Sequence, residues 1–141
     1  MVNIYADGSC IGNHLHDKVQ RKSYISMVVT IRGTVILEKI KLVKATTNQS
    51  AEWIAAIEAM KYAQDNHPGD KITLYSDCKN VVNIINGESH ARAKHIKAHH
   101  EEFEKCSAGL NVEINWVPRN SNLAGKYIES NMRKMRDGVY G

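Results

Sequence analysis

Apolar and polar residues alternate at the start of the chain. Val2, Ile4 and Ala6 are set against Asn3 and Tyr5, the period of a half-buried β-strand. The run reaches Asp7 and then the turn-permissive Gly8, so the pattern predicts a strand that ends on a carboxylate. Residues 11–23 are polar, with His14, His16, Asp17, Lys18, Arg21 and Lys22, and read as an exposed loop. Residues 24–31 and 35–43, on either side of Arg32-Gly33-Thr34, are rich in β-branched and apolar side chains, which predicts two antiparallel strands joined by a tight turn. In the second of these, Val35, Leu37, Ile40 and Leu42 do not hold one alternation, and a bulge or slip is expected between Leu37 and Ile40.

The period then changes from 2 to 3.6. Thr46-Thr47-Asn48-Gln49-Ser50 is a cluster of helix-capping residues, and Trp53, Ala56, Ile57, Met60 and Ala63 follow as one apolar stripe. Glu52 falls in the first turn at the edge of that stripe, whereas Glu58 lies well around the helix, where solvent is its expected partner. Asn66-His67-Pro68-Gly69-Asp70 stops the helix. Residues 71–77 repeat the opening theme, a strand ending on Asp77. A short amphipathic helix through Val81, Val82, Ile84 and Ile85 closes at Asn86-Gly87. Next come a polar helix over residues 90–106, anchored only by Ile96 and Phe103, and a strand over residues 111–117 cut off by Pro118. A last helix from Leu123 to about Met135 buries Ala124, Tyr127, Ile128, Met132 and Met135. Strands connected through helices make the fold α/β, a mixed sheet with helical cover.

Length and charge narrow the picture. The 141 residues, 43% hydrophobic and 24% charged, suit one domain over residues 1–141 with a single core. Nineteen Lys and Arg against fifteen acids give +4, a mild lean toward polyanions, and Arg92, Lys94, Lys97 and Lys105 make the helix over residues 90–106 the most plausible basic patch. No apolar run approaches the ~20 residues needed to span a bilayer, and there is no signal-peptide pattern. A cytoplasmic protein without a membrane partner is therefore expected. Cys10, Cys78 and Cys106 lack paired spacing and are expected to be reduced thiols. His95 and His99 are four apart, but nothing is spaced to complete a metal site, so they read as a solvated helix face.

Three acids occupy comparable places. Asp7 and Asp77 end strands, and Glu52 opens the helix between them. If those strands are parallel neighbours, both carboxylates emerge on one edge of the sheet, where like charges raise each other's pKa unless a cation sits among them. Ligation by oxygen alone suits Mg²⁺ or Mn²⁺. Such ions beside a basic surface point to phosphodiester chemistry.

Asp7-Gly8-Ser9 after the first strand, Thr47-Asn48-Gln49 with Glu52, Tyr75-Ser76-Asp77 closing the fourth strand, and Trp116-Val117-Pro118-Arg119 before the last helix resemble type 1 ribonuclease H over nearly the whole chain. The resemblance implies a five-stranded mixed sheet in the order 3-2-1-4-5. It also implies a monomeric, metal-dependent endonuclease that hydrolyses the RNA strand of an RNA–DNA hybrid with Mg²⁺ or Mn²⁺. Asp7, Glu52 and Asp77 would be the metal ligands and catalytic acids. Ser9, Cys10, Asn48, Gln49, Lys79, Arg119 and Asn122 would face the substrate, with Asn48 and Gln49 sensing 2′-hydroxyls and Lys79 a phosphate.

The chain departs from that family in the last helix. A run such as Val-Pro-Arg-Glu-x-Asn-x-x-Ala-Asp usually supplies a fourth carboxylate there, and this chain has Lys126 at its position. Three outcomes stay open: Lys126 joins the catalytic residues as a fixed positive charge, Glu129 reaches in from the next turn, or turnover is lost and a nucleic-acid-binding module remains. On the helical wheel Lys126 lies nearly opposite Tyr127, Ile128 and Met132, which also allows plain solvation. The loop histidine of many members is missing, and Arg119 is the one charged residue of that loop. A nuclease acting on another duplex is a further alternative.

Overall fold

The computed structural model describes residues 1–11, 22–45 and 47–136, with the backbone alone for residue 11 and residues 132–136. Most of the loop expected over residues 11–23, and the expected burial of Met132 and Met135, lie outside the described residues and side chains. Five strands form one sheet in the order β3-β2-β1-β4-β5, with β1 at Val2–Ile11, β2 at Lys22–Ile31, β3 at Thr34–Val43, β4 at Lys71–Ser76 and β5 at Asn111–Trp116. β1, β2 and β3 pair antiparallel, while β4 runs parallel to both β1 and β5. Helices α1 (Asn48–Asn66), α2 (Lys79–Ile85), α3 (Lys94–Ser107) and α4 (Leu123–Arg136) complete the chain, with a 3₁₀ turn at Arg119–Ser121. The α/β class, the strand order and the sequence of elements are as expected. No described helix is long and apolar enough to cross a membrane.

Four details differ from the sequence reading, the first being that the polar helix expected over residues 90–106 begins only at Lys94, which leaves Arg92 ahead of it. β1 does not stop at Asp7: its ladder with β2 continues to the pair Ile11–Lys22. What stops early is its other ladder, because β4 pairs with β1 only as far as Tyr5–Tyr75. Asp7 thus lies mid-strand toward β2 and at an open edge toward β4. The β3 bulge falls at Ile36, since Val29 pairs with Leu37 and Thr30 with Val35, and not between Leu37 and Ile40. It follows closely on the turn at Arg32 and Gly33, both at positive φ, and interrupts an edge strand that exposes Val35 and Ile36. Glu58 is half-buried and paired with Lys41 of β3 (3.7 Å) and Lys61 (3.8 Å), so the sheet edge and not bulk solvent receives it.

α1 opens where Thr47 caps it, the Thr47 Oγ1 accepting the Ser50 N–H at 3.1 Å. The expected stripe of Trp53, Ala56, Ile57, Met60 and Ala63 is buried, and Ser50, Ala51, Ala55 and Ala59 are buried with it. The helix is enclosed on more than one face because it lies between the sheet and α3, whose Phe103 meets Trp53 edge to face at 6.5 Å. Ile96 and Phe103 are the buried anchors of α3, as its sparse apolar pattern predicts.

Gly8 sets how closely α1 approaches β1. A Cβ there would lie 2.3 Å from the carbonyl carbon and oxygen of Ala51 and 2.6 Å from the Glu52 nitrogen. Its φ is not positive, so the residue is glycine for lack of space and not for backbone freedom. Gly8→Ala is expected to force α1 off the sheet and to cost about 2–3 kcal/mol of stability, measurable by urea denaturation, as overpacking against backbone does.

Candidate active site

The sheet brings the acids together through its register. Beyond the last β1–β4 pair, Tyr5 with Tyr75, stand Asp7 and Asp77, each two residues further along its own strand direction. The two tyrosines stack beneath them, ring centroids 4.7 Å apart. Glu52 arrives from α1 across the glycine, and its Oε1 accepts the Gly8 N–H at 3.1 Å. One carboxylate oxygen from each of Asp7, Glu52 and Asp77 lies within 4.8 Å of the others. These acids line an open cleft of about 280 Å³ together with Ser9, Asn48, Arg119, Gly125 and Glu129.

Neighbouring groups hold the acids in place. Asn122 is fully buried and ties three elements: its Nδ2 donates to the Ala6 carbonyl of β1 at 3.0 Å and to Asp77 Oδ2 at 3.4 Å, while its Oδ1 accepts the Ala124 N–H at the start of α4. Trp116, at the end of β5, donates its indole N–H to the Asp77 carbonyl at 3.0 Å. Lys79 Nζ sits over the same indole, 4.7 Å from the ring centroid. Asn48 Oδ1 accepts the Cys10 N–H at 2.7 Å, which fixes the first residue of α1 against β1.

Burial and mutual repulsion give the acids unusual proton affinities. Burial pushes Asp7 up to about 6, with Asp77 adding repulsion and the Glu52 hydrogen bond, Arg119 and the Gly8 backbone opposing it. Glu52 is raised further, by burial first and then by the charge of Asp7. Asp77 is raised by burial, against the Asn122 hydrogen bond and Arg119. Glu52 Oε2 is buried without a hydrogen-bond partner. A desolvated carboxylate oxygen facing two more carboxylates is satisfied by a cation. The donor set is oxygen throughout, which fits a hard divalent ion such as Mg²⁺ or Mn²⁺.

The family model for RNase H matches residues 1–128 of this sequence. The chain belongs to the RNase H family. The RNase H1 of the halophilic archaeon Halobacterium salinarum NRC-1 superposes with a TM-score of 0.77 at 24% identity, covering 92% of this chain and 98% of that one. LC11-RNase H1, solved in complex with an RNA/DNA hybrid, gives 0.76 at 20% identity over 87% of this chain and 89% of its own. The N-terminal RNase H domain of rv2228c from Mycobacterium tuberculosis gives 0.76 at 22% identity, over 89% and 92%. At these identities the structures establish a shared RNase H fold. No curated protein matches the chain by sequence.

Within this RNase H fold the site residues named from sequence separate into three groups. Asp7, Ser9, Asn48, Glu52, Asp77 and Arg119 line the cleft. Cys10 and Asn122 are buried, Cys10 with its thiol inside and Asn122 with its amide committed to Ala6, Asp77 and Ala124. The Cys10 N–H ties β1 to α1, and the Asn122 amide ties β1 to Asp77 and α4. Gln49, Lys79 and Lys126 stand outside the lining, with Lys79 and Lys126 exposed. Sequence reasoning missed Gly125, whose Cβ would lie 3.3 Å from Asp7 Oδ2. A glycine inside a helix costs roughly 1 kcal/mol relative to alanine, and that cost was the available signal.

In each of the three acids the folded-state pKa lies above the unfolded one, so the metal-free fold binds protons more tightly than the unfolded chain. Stability is greatest below about pH 4 in this respect, and it falls as pH rises through the Asp7 value and beyond. In thermal melts, millimolar Mg²⁺ or Mn²⁺ is expected to raise Tm more at pH 8 than at pH 5, and Asp7→Asn to flatten both the pH and the metal dependence. Asn122→Ala should cost about 2–3 kcal/mol by leaving the Ala6 carbonyl and the Ala124 N–H without their partner. It should also weaken divalent-ion binding, read by calorimetry, since Asp77 loses its orienting donor.

Proposed function

We propose that the protein is a metal-dependent endonuclease that hydrolyses the RNA strand of RNA–DNA hybrids. The observation that carries this reading is the convergence of Asp7, Glu52 and Asp77, with an unpartnered buried Glu52 oxygen, in an open cleft of an RNase H fold. The hybrid bound in the LC11-RNase H1 structure supports the choice of substrate.

Asp7, Glu52 and Asp77 would hold Mg²⁺ or Mn²⁺. Bound ions would ease deprotonation of the attacking water and neutralise charge on the leaving oxygen. The chain's own residues supply position and selectivity. Asn48 has its carbonyl oxygen engaged by the Cys10 N–H, which leaves its NH₂ as a donor for a 2′-hydroxyl at the cleft wall. Arg119, exposed at the rim, offers a guanidinium to a backbone phosphate and tempers the charge of Asp7 and Asp77. Lys79, held over the Trp116 ring beside Asp77, offers a second phosphate contact.

A second reading has its own support: α4 presents Gly125, and no carboxylate, to Asp7, which favours a binding module that has lost turnover. Cleavage assays on a hybrid, double-stranded RNA and double-stranded DNA, each with Mg²⁺ and with Mn²⁺, separate the possibilities. The hybrid should be cut in its RNA strand with at least one metal, and Asp7→Asn should reduce the rate by at least about a hundredfold, the scale of losing one charge-stabilising group. Hybrid binding without cleavage under both metals would establish the second reading. Preferential cutting of double-stranded RNA would move the substrate.

A further inference from the structure

Helix α4 lacks a carboxylate beside Asp7, but one turn later it carries Glu129, which lines the same cleft. Side chains of an α-helix lean toward its N-terminus, so a residue at i+4 lies over the residue at i. Glu129 is four residues after Gly125, and a side chain at residue 125 would crowd Asp7, its Cβ 3.3 Å from Asp7 Oδ2. The Glu129 carboxylate is instead turned toward Arg119, Oε1 to Nε 3.9 Å, an exposed pair. Exposed pairs of this kind are weak, so a bound cation can outcompete the guanidinium. Lys126, the residue at the usual position of the fourth acid, is exposed and does not line the cleft.

We infer that Glu129, swinging across Gly125, is the fourth carboxylate of this site and supplies the ligand for a second divalent ion, with Arg119 holding it aside when that ion is absent. The inference rests on the metal-dependent reading of the Asp7–Glu52–Asp77 cluster. It explains why α4 tolerates a glycine in its first turn: the longer glutamate, reaching from the next turn, needs the space that a side chain at residue 125 would fill.

Calorimetric titration of the full chain with Mn²⁺, without nucleic acid, tests it independently of turnover. The parent should bind two ions of unequal affinity. Glu129→Gln, a change at an exposed side chain that leaves the fold intact, should keep the tighter ion and weaken the other at least tenfold. Arg119→Ala should tighten the weaker ion severalfold by releasing Glu129, and the double variant Arg119→Ala with Glu129→Gln should behave as Glu129→Gln alone. Two ions of unchanged affinity in Glu129→Gln, a single ion in the parent that Glu129→Gln leaves unaltered, or a gain from Arg119→Ala that survives in the double variant would each overturn the assignment. Asp7→Asn serves as the reference: if it binds Mn²⁺ as the parent does, the underlying metal site is wrong, and not only the role of Glu129.

Discussion

The contact between Gly8 and the Ala51–Glu52 backbone governs the site. Three carboxylates repel one another, and burial makes each ionised form costlier still. They stay together because each is carried by backbone that cannot retreat: Asp7 by a strand paired to β2 along its length, Asp77 by the end of β4, and Glu52 by a helix pressed onto the strand. The Gly8 N–H to Glu52 Oε1 bond then orients one acid directly from the strand that bears another. The energy that opposes this arrangement is what a divalent ion would recover.

The two faces of the sheet contribute separately. α1 covers the face on which a Gly8 side chain would have pointed, and α4 lies on the Asp7 side, where Gly125 comes closest. Asn122 joins the faces, because a single buried amide bonds to β1, to Asp77 and to the first turn of α4. A fully satisfied buried polar group of this sort fixes relative placement better than apolar packing, since each of its bonds has a direction. Trp116 does similar work on the other flank, linking β5 to the Asp77 carbonyl and giving Lys79 a surface to rest on.

In the proposed role of Glu129, the part of a fourth acid would be shared by Gly125, Glu129 and Arg119. A glutamate from the next turn has more rotatable bonds than a direct ligand and loses more rotamer freedom on binding. That favours a weaker, exchangeable second site over a preformed one.

Much of the chain was legible as sequence because periodicity is a local property. Alternation marked the first and fourth strands, β-branched and apolar runs the second and third, a 3.6 period and the capping cluster around Thr47 marked α1, and the Asn66-to-Asp70 cluster marked its end. Asp7, Glu52 and Asp77 stood out because each is an acid at an element boundary, and the motifs around them carried the strand order. What the tertiary structure decided depends on contacts distant in sequence. The end of β1 is one case: its β2 ladder persists to Ile11 while its β4 ladder stops at Tyr5, and one pattern cannot encode two different edges. Glu58 looked solvated until β3 brought Lys41 to it. Asn122 stood out only through its motif, and its bonds to β1, Asp77 and α4 come from the fold. Lys126 drew attention by its place in the motif, with solvation and Glu129 left open by the helical wheel, and the packing of α4 puts Gly125 and Glu129 on the cleft. Local spacing determines which residues share a face of an element; only packing decides what that face meets.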